Sequence, residues 1–88
     1  MTLLATLATI SGVFLALAGL PQVIKIFQRK SAKDISALTY SIIEIGATIW
    51  FFYGIELKNL PIILSNGIGV ILNTMILFGW WMYGRKKN

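Results

Sequence analysis

A bundle of three membrane-spanning helices is the fold this sequence predicts, and three observations predict it. Of its 88 residues 57% are hydrophobic and 12% charged, with a mean hydropathy of +0.78. A soluble domain this small would carry far more polar surface. The apolar residues gather in three runs, each close to the roughly 20 residues a helix needs to cross a bilayer core of about 30 Å. The basic residues collect beside those runs, where topology signals and headgroup contacts belong. The chain therefore reads as one all-α membrane domain over residues 1–88.

The first run covers about residues 3–27 and is interrupted near its basic end by Pro21-Gln22. Proline has no backbone N–H, and its ring clashes with the carbonyl four residues back. Such a break persists in lipid only where protein or a water-filled cavity satisfies the freed groups. It signals either a tolerated kink or a moving part. Ala16-Leu17-Ala18 imitates a signal-peptidase site, but no basic residue precedes it and the apolar run continues, so it is expected to stay in the span. The polar connection 28–36 follows, with Asp34 or Ser36 suited to cap the next helix. The second run covers about residues 37–55. After the short turn Glu56-Leu57-Lys58-Asn59 the third covers about 60–82, with Pro61 placed for a first helical turn.

Orientation follows from Lys and Arg. Lys25, Arg29, Lys30 and Lys33 flank the first connection, and Arg85, Lys86 and Lys87 end the chain, leaving Lys58 alone on the other side. The positive-inside rule then puts the N-terminus outside and the C-terminus in the cytoplasm. Trp80, Trp81 and Tyr83 make an anchor at the inner interface. The net charge of +5 is thus a membrane signature, and no nucleic-acid partner is expected. Without Cys or His, and with only Asp34, Glu44 and Glu56 as acids, neither a metal site nor a cofactor is expected. No phosphate loop or nucleophile elbow is present, which argues against an enzyme.

Three packed helices enclose no central cavity wide enough for a polar solute. They do offer small residues for close packing, Gly12, Ala16 and Gly19 on the first span and Ser65 and Gly69 on the third. A polar route would need a second copy. With one fixed topology the two copies are parallel, related by an axis along the membrane normal.

The polar residues within the spans locate that route. Trp50 lies about six residues from the outer end of its helix, roughly 9 Å deep, flanked by Gly46, Ala47, Tyr53 and Gly54. That depth suits packing or ligand stacking better than interfacial anchoring. Asn66 lies as deep on the antiparallel third helix, and the first reaches that level at Thr9, Gly12 and Val13. Alone, a buried asparagine commonly serves as interhelix glue. Beside an indole it has a second use: the ring covers the C–H face of a sugar while the amide supplies donor and acceptor to hydroxyls. Glu44 is central in the second span, where an ionisable group is functional by default. Asn73 is expected at its level, with Ser41 and Thr48 on its face. Three readings stay open: a protonated acid bonded to Asn73, a carboxylate in an inner vestibule, or a proton-coupling group. Glu44 is about 120° round the helix from Trp50.

The ordered set Pro21-Gln22, a basic connection, Asp34-Ile35-Ser36, Tyr40, Trp50-Phe51-Phe52-Tyr53-Gly54 and Leu60-Pro61-Ile62-Ile63-Leu64-Ser65-Asn66 resembles the bacterial SemiSWEET transporters, half-size relatives of SWEET sugar transporters in the PQ-loop superfamily. The resemblance spans nearly the whole chain. It implies a three-helix bundle in the order 1-3-2, a homodimer around a central pathway, and a sugar uniporter working by alternating access. It further implies that Trp50 and Asn66 bind the sugar, that Pro21 and Gln22 form a hinge, and that Tyr53 forms an outer gate. Leu57 and Asn59 depart from it, since several bacterial relatives place an Arg and Asp pair there; Glu56 and Lys58 are the available substitutes. Glu44 also departs, standing where relatives often carry an apolar side chain.

The reading is a homodimeric carrier of a mono- or disaccharide in the bacterial inner membrane, partnered by lipid and a second copy. The pathway would be lined by Thr9, Gly12, Val13, Glu44 and Asn73. A proton-coupled carrier of another small organic solute, using Glu44, is the first alternative. A non-transporting regulatory subunit of a larger membrane complex is the second.

Overall fold

The computed structural model describes residues 1–84, built from α1 (Leu3–Leu17), α2 (Leu20–Arg29), α3 (Ala37–Leu57) and α4 (Leu60–Tyr83). Helices α1 and α2 together form one segment long and apolar enough to cross a membrane, and α3 and α4 form two more. Arg85, Lys86 and Lys87, which carry part of the orientation argument, lie outside the described residues.

The break in the first segment follows from proline chemistry. α1 ends at Leu17, four residues before Pro21, where the missing N–H and the ring clash take effect. The donor of Gln22 turns instead to the Gly19 carbonyl at 3.1 Å, and that of Val23 to the same oxygen at 3.2 Å. Gly19 thereby becomes the cap of α2, with Pro21 in its first turn, where an absent donor is harmless. The interruption falls just ahead of the dipeptide that signals it.

The other ends are capped by side chains, each satisfying a donor that a helix start leaves open. Thr2 Oγ1 accepts from Ala5 N at 3.0 Å, Ser36 Oγ from Thr39 N at 3.1 Å and Asn59 Oδ1 from Ile62 N at 3.1 Å. Of the two residues suited to cap α3, Ser36 does so. Two turns use a left-handed residue, Lys30 (φ 52°) and Lys58 (φ 55°). At Lys58 the Asn59 N–H closes onto the Gly54 carbonyl at 2.9 Å, the Schellman geometry that stops a helix and reverses the chain.

Packing centres on α4, which contacts α1, α2 and α3. Small residues set how near the helices come. A Cβ on Gly54 would lie 2.7 Å from Ile62 Cγ2, one on Gly79 2.6 Å from Ile26 Cγ2, and one on Gly12 3.2 Å from Ser65 Cβ. In lipid, where apolar burial gains little, such close van der Waals contact is the main source of helix association. The molecule is a flattened slab of 51 × 21 × 13 Å, so α4 keeps two open faces between its neighbours.

The buried core sits at the basic end. Val23 and Ile26 of α2, Ala32 and Ile35 of the connection, and Leu72 and Ile76 of α4 form one cluster, with Phe27, Tyr40, Trp80 and Tyr83 packed on it. The Lys30 turn folds the connection back onto α2, which is how two apolar residues from a polar stretch reach the interior. By contrast, α1 has no buried residue.

Candidate functional site

A groove of about 370 Å³ runs along one open face of α4, lined by Gly12, Leu15 and Ala16 of α1, Ile43 and Ala47 of α3, and Ser65, Asn66, Gly69 and Asn73 of α4. Its polarity comes from α4. Positions 66, 69 and 73 recur at helical spacing, so Asn66 and Asn73 flank Gly69 on one face. Its walls are mostly small side chains, and a Cβ built on Gly69 would meet nothing within 4 Å.

The amide of Asn66 is half committed. Its Nδ2 donates to the Ile62 carbonyl at 2.9 Å, leaving Oδ1 and a second N–H for the groove. Ser65 Oγ donates to Pro61 O at 2.7 Å and offers no free donor. Asn73 lines the same groove and bonds to neither its own helix nor a neighbour.

Trp50 stands at the level of Asn66. Gly54 rests against Ile62, and one turn along each antiparallel helix from that contact lie Trp50 and Asn66. On α3 Trp50 follows Ile43 and Ala47 at helical spacing, but it is not itself among the residues that line the groove. The indole is 53% exposed. Tyr53 meets it edge to face, with centroids 5.6 Å apart and planes at 77°, a favoured aromatic geometry. No hydrogen bond joins Trp50 and Asn66 within one chain, and among the described residues the indole's aromatic contact is the edge-to-face one with Tyr53.

Gln22 is joined to α3, with Tyr40 Oη donating to its Oε1 at 3.2 Å. The glutamine beside the break therefore links α2 to the second span. The sequence marks Tyr40 as part of a motif without giving it this partner.

Glu44 lies elsewhere. Its expected partner is Asn73, but the structure gives it Thr74, whose hydroxyl bonds Oε2; Glu44 Oε1 is buried without a partner. Counting residues from the turn sets the level of Asn73 correctly to within one position. One position is about 100° of helix rotation, so Thr74 turns toward α3 while Asn73 turns into the groove. Thr74 also bonds Val70 O at 2.7 Å, and Val70 belongs to the opposite, apolar face with Phe51, Ile63, Leu64, Gly67 and Ile71. The carboxyl thus sits across the α3–α4 seam from the two asparagines. Ser41 is half-buried on its helix face, and Thr48 donates to the Glu44 carbonyl at 2.7 Å.

Of the first-helix positions, Gly12 lines the groove, whereas Thr9 and Val13 are half-buried outside it. Thr9 Oγ1 donates to Ala5 O at 2.8 Å. At the turn, Asn59 is the α4 cap rather than half of a charged gate, and Glu56 and Lys58 are exposed and make no ion pair with each other.

Three helices long and apolar enough to cross a membrane, one of them carrying Asn66 and Asn73 on one face, define a multi-pass membrane protein. Residues 2–88 match the family described as sugar efflux transporter for intercellular exchange. The chain is 41% identical over 59 residues to a sugar transporter SemiSWEET of Leptospira biflexa, covering 67% of this chain and 69% of that one. It is 34% identical over 64 residues to a second SemiSWEET, from Bradyrhizobium diazoefficiens, covering 73% and 74%. A crystal structure of a bacterial homologue of SWEET transporters superposes with a TM-score of 0.87 at 40% identity, covering 94% of this chain and 100% of that one. The chain belongs to this family, the SemiSWEET and SWEET transporters.

Proposed function

We propose that the protein is a sugar uniporter of the bacterial inner membrane, working by alternating access as a parallel homodimer. The observation that carries this reading is the Asn66 carboxamide, which faces an open groove of small residues at the level of Trp50. A two-fold axis along the membrane normal would set two such grooves face to face. Sugar would then lie between two indoles, which cover its C–H faces, and two carboxamides, which bond its hydroxyls. The third span, already in contact with every other helix, would lie between the other two and carry the pathway.

The moving part in this reading is the first span. α1 has no buried residue, while α2 belongs to the core, and the two meet at the break that Pro21 imposes. Rocking α1 about that break would open one end of the groove as the other closes, with Gln22 holding α2 to Tyr40. Tyr53, edge-on to Trp50, is placed to close the turn end, which becomes the outer gate. Lys25, Arg29, Lys30 and Lys33 around the other end support a cytoplasmic position for it and an external N-terminus. The position of Glu44 across the seam favours uniport over a proton-coupled cycle, since its carboxyl does not line the groove.

Counterflow of radiolabelled sugars in proteoliposomes at two pH values tests the proposal. Trp50→Ala and Asn66→Ala are each expected to abolish exchange while the dimer persists, and Glu44→Gln to exchange at both pH values as the parent does. Unchanged uptake in both pocket variants would refute the site. Proton influx that accompanies sugar and vanishes in Glu44→Gln would replace uniport with coupling.

A further inference from the structure

A second concavity lies at the basic end, outside the groove. It holds about 100 Å³ between α2 and the connection, and its rim carries Gln22, Lys25, Arg29, Ser31, Lys33 and Asp34. At about 30 Å³ for each water, that is room for about three waters or one tetrahedral oxyanion.

The positive-inside rule asks only that cations lie on this side of the membrane. It does not ask that they converge. Lys25 and Arg29 are four residues apart on α2, so they share a face one turn apart. Lys33 reaches the same concavity because the left-handed residue Lys30 (φ 52°) folds the connection back. Lys30 itself does not line it. The floor is fixed, since Ile26, Ala32 and Ile35 belong to the buried core. Three cations stand against one carboxylate, Asp34, a net charge of +2. Among the described residues none of these four makes an ion pair.

Neutral donors add to the charge. Ser31 is half-buried, and its hydroxyl makes no hydrogen bond among the described residues. The connection makes one tight turn, with Ile35 N donating to Ala32 O at 3.1 Å. The N–H groups of Lys33 and Asp34 have no partner among the described residues. Successive turn N–H groups are a recurrent anion-binding element, and Arg and Lys add charge-assisted bonds to phosphate oxygens. Position then narrows the source. Gln22, bonded to Tyr40, and Arg29 lie about half a turn round α2 from Leu20 and Ile24, which are apolar and exposed. The concavity is on the other side of α2 from that apolar stripe, which favours an anion arriving through water over a lipid headgroup.

We infer that this concavity binds the phosphate group of a soluble compound, with Lys25, Arg29 and Lys33 as its cations and Ser31 as a neutral donor. Bound phosphate bridges α2 to the connection, beside the Gln22 that links α2 to Tyr40. The site is independent of the sugar-carrier reading, because its occupancy is measured without transport.

The test is calorimetric titration of inorganic phosphate into the full-length protein in phosphatidylcholine nanodiscs, in a buffer free of other oxyanions. The parent is expected to bind one phosphate per chain, saturably. Arg29→Gln and Lys33→Gln should each weaken binding about tenfold, the loss of one charge-assisted bond. Both residues are exposed, so folded protein is expected; Arg29→Lys, which keeps the charge without the planar fork, should fall between parent and Arg29→Gln. Asp34→Asn should tighten binding, since it removes the opposing carboxylate. Lys86→Gln and Lys87→Gln, which lower the overall charge equally, should stay within about twofold of the parent, because exposed charges are screened by salt. Absence of saturable binding by the parent overturns the inference. So does equal weakening in the Lys86 and Lys87 variants, which would reduce the site to diffuse charge, or weaker binding in Asp34→Asn. Native mass spectrometry from mixed phosphatidylcholine and phosphatidylglycerol discs separates the two sources. Equal retention of phosphatidylglycerol by parent and Arg29→Gln supports a soluble ligand, whereas retention lost in Arg29→Gln marks a headgroup site and overturns that assignment.

Discussion

The two ends of this molecule solve opposite problems with the same kinds of residue. At the basic end α2, the connection and α4 close around Val23, Ile26, Ala32, Ile35, Leu72 and Ile76, with Gly79 pressed against Ile26. Toward the α3–α4 turn the helices are held apart enough to leave the groove of Asn66, Gly69 and Asn73. Glycine serves both. Gly79 gives up its Cβ so that helices touch, and Gly69 gives it up so that a space stays open. Small residues in a membrane helix therefore mark closeness or vacancy according to what faces them, and composition alone does not separate the two.

The comparison breaks first where packing is densest. Ile76 is 2% exposed and central to the cluster, so Ile76→Ala should destabilise by about 2–4 kcal/mol, chiefly through the cavity left behind. Thermal unfolding in detergent would show it, and a wild-type midpoint would remove the basic end as the stable half. Pro21→Ala comes next. Restoring the missing donor lets Leu17 rejoin the ladder, so the variant should melt no lower than the parent yet exchange sugar at least tenfold more slowly. Wild-type turnover would show that the break is not a hinge. Tyr40→Phe sharpens the picture with a smaller effect. Losing one neutral hydrogen bond to Gln22 should cost about 0.5–1.5 kcal/mol, read in the same melt, and a larger loss would mean that Gln22 is held by this bond alone.

Much of this was legible in the sequence, because the strongest constraints in a membrane are local. Apolar run length located the spans, and the chemistry of Pro21 demanded a break, which the structure places at the carbonyl four residues back. Ser36 and Pro61 announced helix starts. What stayed hidden was azimuth. Counting from the turn put Trp50 with Asn66 and Glu44 with Asn73, but level is not facing. A shift of one residue sent Glu44 to Thr74 and left Asn73 in the groove. Thr9 and Val13 lie on the same stretch of α1 as Gly12, yet only Gly12 of the three lines the groove. Ala32 and Ile35 were hidden for another reason: their burial depends on the left-handed turn at Lys30, a long side chain where glycine or asparagine would have been the recognisable signal.

The central claim is that the Asn66–Gly69–Asn73 face of α4 lines an aqueous sugar route while the opposite face meets lipid. The chain has no cysteine, so a single introduced thiol reports on one face alone. Gly69→Cys in the groove and Ile71→Cys on the apolar face are each treated with a charged, membrane-impermeant thiol reagent in liposomes, with and without sugar. The account predicts that Gly69→Cys is modified and that sugar slows its modification, while Ile71→Cys stays unreactive. Modification of Ile71→Cys with Gly69→Cys silent, or a Gly69→Cys rate indifferent to sugar, would contradict it.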